Sequence, residues 1–207
     1  MFKIFGQPGH GSLLLKDTAA EKLRVLMGKI YDYRRQQEEL LEKDPELLLG
    51  DVTTVNVTKM SGGKQRNVLP PMFEITVDMR IALEQNLEEF EAMLNRWVKE
   101  SGDNIEMSFA VKDKFCIPTK TDGSNKYWNA MEQAMKELQM NTKLQVFPAG
   151  TDAAYIRVKN IPAIGFSPII NTPILLHDHD EYLEADVYLK GIEIFKKIIE
   201  KVANAED

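Results

Sequence analysis

His177-Asp-His-Asp-Glu181 is the densest run of ionisable side chains in the sequence, and it directly follows the apolar Ile174-Leu-Leu176. Burying such groups unpaired is costly, so they belong at a surface or around a metal. Imidazole suits zinc, and a carboxylate can ligate the ion or orient the ring from behind. From this run alone two readings stand open, metal ligation and a solvated acidic turn. His10 lies in Gly6-Gln-Pro-Gly-His-Gly11, where glycines permit close approach of backbone and ring to a ligand. It is either such a contact or a loop histidine without a role. Arg80 ends an alternating stretch. Its guanidinium either solvates a sheet edge or holds a carboxylate bidentately. Asn67 sits in the turn before that stretch and reads as a turn former. Gly150-Thr-Asp152 precedes a predicted helix, as an N-cap or as an anion site at a helix start. The single cysteine, Cys116, reads as a half-buried strand residue, because a nucleophilic thiol needs a histidine and none is near it in sequence.

The elements that must position these residues are legible in part. Residues 2–5 read as a short strand leading into the glycine-rich loop. Thr18-Ala-Ala-Glu21 has the form of a capping box. Leu23, Met27, Ile30 and Tyr33 continue it at helical spacing until Pro45 disfavours helix at Asp44. A strand is predicted over 52–59 and a turn over 61–63. In the next strand Phe73, Ile75, Val77 and Met79 alternate with Glu74, Thr76, Asp78 and Arg80. A helix opens near Asn86 and stops at Gly102. A fourth strand is predicted over 105–111. The order β-α-β-β-α-β is that of the ferredoxin-like split unit, one sheet face under two helices and the other face or an edge free for a second copy. Beyond it, helices are predicted over 126–139, 151–159 and from 184. Strands are predicted over 144–147, 161–166 (buried) and 174–176. That alternation suggests an α/β layer.

Composition excludes several function classes. The chain has 207 residues, 26 basic against 32 acidic, and a formal net charge of −6. No basic patch interleaved with aromatics is present, so a nucleic-acid partner is not expected. No apolar run approaches the ~20 residues of a membrane span, and the first residues lack the pattern of a signal peptide. One cysteine allows no intrachain disulfide. These features predict a cytoplasmic protein, with no membrane partner.

Taken in order, the segments resemble the type I aminoacylases, which are N-acyl-L-amino-acid amidohydrolases. Gly6-Gln-Pro-Gly-His-Gly-Ser12 followed by Asp17-Thr-Ala-Ala-Glu-Lys-Leu23 resembles the start of that family's dimerisation (lid) domain. Arg66-Asn-Val-Leu-Pro70 followed by Asp78-Met-Arg80 is similar to its second landmark. Pro148-Ala-Gly-Thr-Asp152, Ala163-Ile-Gly-Phe-Ser-Pro168 and Leu175-Leu-His-Asp-His-Asp-Glu181 are similar to the end of its catalytic domain. The His177 to Glu181 pattern is also found in the wider group of co-catalytic zinc exopeptidases and desuccinylases.

The resemblance implies a lid domain over 1–111 and, over 112–207, the C-terminal portion of an α/β zinc-hydrolase catalytic domain. It implies two zinc ions in a complete site, with His177 a ligand and His179 only its neighbour. His10 would stabilise the oxyanion at its own or a partner subunit's site. Arg80 would hold the substrate carboxylate, and Asn67 and Thr151 would line the substrate site. The implied substrate is an N-acyl amino acid and the implied assembly a homodimer through the lid. In related enzymes a preceding catalytic portion supplies another histidine, a bridging aspartate, further glutamate ligands and the general-base glutamate. The sequence starts at the lid strand, so the expectation is a chain inactive in isolation. Two alternatives remain: a non-catalytic dimerisation or regulatory module that pairs with full-length subunits, and an independent hydrolase built on His177, His179 and nearby carboxylates.

Overall fold

Alternation dictates the first half of the structure. A strand whose odd positions are apolar and even positions polar buries one face and wets the other. In the computed structural model, which describes residues 1–112 and 117–206, that strand is Met72–Arg80, and Ile75 at its centre is fully buried. Cys116, read above as a strand residue, lies outside the described residues.

The chain forms two units: Met1–Lys114 with Gln145–Ala149, and Phe115–Leu144 with Gly150–Asp207. The first contains β1 (Phe2–Phe5), β2 (Gly9–His10), α1 (Ala19–Lys43), β3 (Thr54–Gly62), β4 (Val68–Leu69), β5 (Met72–Arg80), α2 (Leu87–Ser101) and β6 (Ile105–Met107). β2 and β4 pair only with each other. The other four strands make an antiparallel sheet in the order β3-β5-β1-β6. In chain order this is 2-3-1-4, the ferredoxin-like arrangement expected. Phe2, Ile4, Val55 and Ile75 on one sheet face pack with Leu23, Leu26 and Ile30 of α1 and Phe90, Leu94 and Trp97 of α2. The opposite face is polar. Lys3 lies across from Glu74 on one neighbour and Glu106 on the other, and Asn56 lies across from Asp78.

Local signals act where the sequence puts them. Thr18 Oγ1 accepts the Glu21 N–H at 3.3 Å, and the Glu21 carboxylate accepts the Thr18 N–H at 3.0 Å. That reciprocal pairing starts α1. Asn86 Oδ1 accepts the N–H groups of Glu88 and Glu89 and starts α2, which Gly102 ends at φ +124°. Two strand boundaries differ from expectation because ladders, not propensities, set them. β3 continues through the predicted turn to Gly62, which pairs with Phe73. β6 stops at Met107 rather than at residue 111, with a last bond from Ser108 N to the Met1 carbonyl.

The second unit holds α3 (Lys126–Glu137), α4 (Ala153–Arg157) and α5 (Ala185–Ala203). Trp128, Met131, Ala134 and Met135 of α3 pack against Ile194 and Ile198 of α5. Glu137 accepts from Lys201 at 2.7 Å and pairs with Lys197 at 2.9 Å. The strands expected over 144–147, 161–166 and 174–176 are not there; the segments are irregular. Ile161 is 55% exposed, which corrects the reading of 161–166 as a buried strand, although Ile164 and Phe166 pack partly buried against the α3–α5 core; Ile174 is 87% exposed. A short apolar run becomes a strand only when a neighbour completes its ladder; none of these segments has one among the described residues, residues 145–147 belonging to the first unit and the others to the second. Among the described residues no helix is long and apolar enough to cross a membrane.

Candidate functional site

His10 is placed by two neighbouring backbones. β2 pairs with β4, setting Gly9 opposite Leu69 and His10 opposite Val68. The Gly11 N–H then donates to the Asn67 carbonyl at 2.7 Å. A side chain on Gly11 would meet the Asn67 backbone at 3.2 Å, so this close approach uses the missing Cβ. The structure thus brings His10 and Asn67, which are far apart in sequence, to one spot. Both are exposed. The ring is held by Ser12: its hydroxyl lies 2.8 Å from His10 Nδ1, and its N–H donates to the same nitrogen at 3.3 Å.

The base of this loop is tied by Lys22. Its ammonium donates to the Phe5 carbonyl at 2.9 Å and the Asp103 carbonyl at 2.8 Å, and it pairs with Asp17 at 2.9 Å. Phe5 precedes the His10 loop and Asp17 ends it, so one buried cation, 4% exposed, joins the two ends. The Gln7 N–H bonds the Asp17 carbonyl alongside, with Asp17 at φ +63°. Sequence reading passed over Lys22 and Ser12. A signal for Lys22 was available, since it shares the stripe of Ala19, Leu23, Leu26 and Ile30 that α1 buries.

Arg80 is exposed at the end of β5 and bonds Asp78 Oδ2 at 2.8 Å. One N–H of the fork is committed to that carboxylate, and the rest of the guanidinium faces outward. Such a group, held by one acid, can take a second carboxylate. Among the described residues Arg80 bonds neither His10 nor Asn67.

Thr151 and His177 belong to the second unit. Thr151 is exposed and its carbonyl accepts the Ala154 N–H at 3.1 Å. The capping reading of Gly150-Thr-Asp152 needs correction. Asp152 occupies the N-cap of α4 but its side chain makes no capping bond, and α4 is only five residues long. His177 is exposed in a turn closed by Asp178 N to the Leu175 carbonyl at 3.0 Å. His177 and Asp180 both have left-handed backbones, at φ +62° and +57°. That conformation costs a non-glycine residue about 1–2 kcal/mol. The Asp178 carboxylate accepts the His179 N–H at 2.7 Å.

A solvent-open imidazole on a turn is a fitting single donor for a metal. The described residues gather no group of three histidine, cysteine, aspartate or glutamate side chains able to hold an ion. His177, His179 and the adjacent acids are not gathered into such a group among the described residues.

The sequence pattern of peptidase family M20/M25/M40 matches residues 15–201. The chain belongs to this family. Mouse Aminoacylase-1 is 40% identical to this M20 chain over 201 residues, which are 96% of the chain and 49% of the mouse protein. The chain thus spans about half the length of the curated relatives it matches. An amidase of the hydantoinase/carbamoylase family from Burkholderia phymatum superposes with a TM-score of 0.65 at 19% identity, over 99% of this chain and 47% of that one. An M20-family metallo-carboxypeptidase from Sulfolobus solfataricus gives 0.57 at 14% identity, over 97% and 61%. At those identities the likeness is one of fold.

Proposed function

We propose that this chain is the C-terminal portion of a zinc-dependent amidohydrolase that cleaves N-acyl-L-amino acids to a free amino acid and a carboxylate. The carrying observation is the 40% identity to mouse Aminoacylase-1 across nearly the whole chain. When bound, the metal would polarise the scissile carbonyl and supply an activated water. His177 would be one of its ligands, and its exposed, left-handed turn supports that assignment. His10 would donate a hydrogen bond to the developing oxyanion, Arg80 would hold the amino acid's carboxylate, and Asn67 and Thr151 would line the substrate site. The protein would act in the cytoplasm.

The complete enzyme would be a homodimer through the first unit. The polar outer face of that sheet offers little apolar area, so the free edge of the nine-residue strand β3 is the favoured contact.

The test joins this chain to the N-terminal half of mouse Aminoacylase-1 and compares two variants. His177→Ala should lose metal. His10→Ala should keep metal and lower turnover by about 100–1,000-fold, as for loss of one oxyanion donor. Mixing His10→Ala subunits with subunits lacking the catalytic base should recover activity if His10 acts across the dimer. Metal loss in His10→Ala with retention in His177→Ala would overturn the assignment.

A further inference from the structure

The Ser12 amide can only donate, and it points at His10 Nδ1 from 3.3 Å. A ring nitrogen that receives an N–H carries no proton itself. In the neutral ring the proton therefore sits on Nε2. The Ser12 hydroxyl, 2.8 Å from the same Nδ1, donates as well. Nε2–H is then the donor left facing out of the loop, since the described residues supply it no partner. The arrangement does not depend on ring contacts elsewhere. Gly11 is pinned to Asn67, the Leu13 N–H bonds the His10 carbonyl at 3.0 Å, and the Gln7 to Asp17 bond closes the loop behind.

We infer that Ser12 is a positioning residue: it fixes the orientation and tautomer of His10 so that Nε2–H faces the reacting oxygen. This rests on the reading that His10 serves the oxyanion, and it deepens it. An oxyanion needs a donor already in place, because reorientation at the moment of reaction costs rate. A freely rotating histidine would present an acceptor nitrogen in part of its population. Ser12 removes that population without adding a charge.

The experiment uses the ¹⁵N-labelled chain itself and needs neither zinc nor substrate. Long-range ¹H–¹⁵N correlation is recorded near pH 8.5, well above the usual histidine range of about 6.5. His177 and His179 are exposed in the same chain and serve as references. The expected result is a His10 with nitrogen shifts of a single Nε2–H tautomer, distinct from the averaged shifts of the other two. Ser12→Ala removes the hydroxyl and keeps the amide donor, so it should move His10 part of the way toward their pattern, and Ser12→Thr should restore it. The Ser12 amide should exchange at least tenfold faster in His10→Ala, since its acceptor is gone. A His10 that averages like His177 and His179, or one that is unmoved by Ser12→Ala, overturns the inference. These outcomes are separate from failure of the oxyanion reading, which appears as unchanged turnover of His10→Ala in the joined enzyme.

Discussion

Gly6→Ala is the sharpest structural test of how the His10 loop is mounted. A Cβ at Gly6 would lie 2.0 Å from the Ala19 nitrogen and 2.4 Å from the Thr18 carbonyl carbon. Ordinary contact begins near 3.4 Å, so the end of β1 and the start of α1 must part by about 1.4 Å. Both sides are anchored. Gly6 N–H bonds the Pro71 carbonyl at 3.0 Å, Phe5 N–H bonds the Asn104 carbonyl at 3.0 Å, and Ala19 is fully buried behind the capping box. Overpacking costs about 1–3 kcal/mol. Loss of the cap adds about 1 kcal/mol and loss of one backbone bond about 1 kcal/mol. The expected destabilisation is thus about 3–5 kcal/mol, a large share of the roughly 5–15 kcal/mol that holds a domain. Gly28 is the control. It lies exposed in α1 with nothing within 4 Å of a built Cβ, so Gly28→Ala should stabilise by about 0.5–1 kcal/mol. Urea unfolding is followed by Trp97 fluorescence in a Trp128→Phe background, so that only the first unit reports. With a slope of about 1–3 kcal/mol per molar, the Gly6→Ala midpoint should fall by one molar or more. A Gly6→Ala chain within 1 kcal/mol of its parent would refute the packing described for this junction.

Lys22→Met keeps the stem but leaves two carbonyls and the Asp17 carboxylate without their cation. Asp17 is 65% exposed and stays solvated, so the cost is that of carbonyls left without their donor, about 1–3 kcal/mol, and the same urea assay should show it; a loss below about 1 kcal/mol would mean Lys22 is not the clamp. The Lys201 and Lys197 ammoniums hold the Glu137 carboxyl below its ordinary range, and Glu137 in turn raises Lys197. The stability Glu137 adds is therefore present above the unfolded carboxyl value of about 4.3 and is lost as pH falls through the depressed folded value. That of Lys197 is present below its unfolded value and is lost as pH rises through its raised one. Thermal unfolding of the second unit, followed by Trp128, should fall off on both sides of a neutral plateau, and Glu137→Gln should flatten both limbs. An unchanged acid limb in Glu137→Gln would refute the pairing.

What the sequence made legible was local. The alternation of Phe73, Ile75, Val77 and Met79, the Thr18 to Glu21 box and the Asn86 cap each specify structure within a few residues. From them the split β-α-β-β-α-β order follows. The ends of β3 and β6 depend on which residues of another strand stand opposite, which no local pattern carries. The same limit explains the second unit. Residues 161–166 have the composition of a strand, but composition supplies no partner, and Ile161 stays exposed. In the site, the roles of His10, Arg80 and His177 came from resemblance. That His10 meets Asn67 depends on a two-residue ladder, and the burial of Lys22 depends on carbonyls 17 and 81 residues away.

The assignment proposed for this M20 chain is part, and not all, of an N-acyl-amino-acid hydrolase. Its most direct test is the turnover of N-acetyl-methionine with added zinc, by the isolated chain and by the chain joined to the N-terminal half of mouse Aminoacylase-1. No appreciable hydrolysis is expected from the first and enzyme-like hydrolysis from the second. Turnover by the isolated chain in the ordinary enzymatic range of roughly 1–1,000 per second would contradict it. So would a joined protein that folds and binds zinc fully yet releases no methionine.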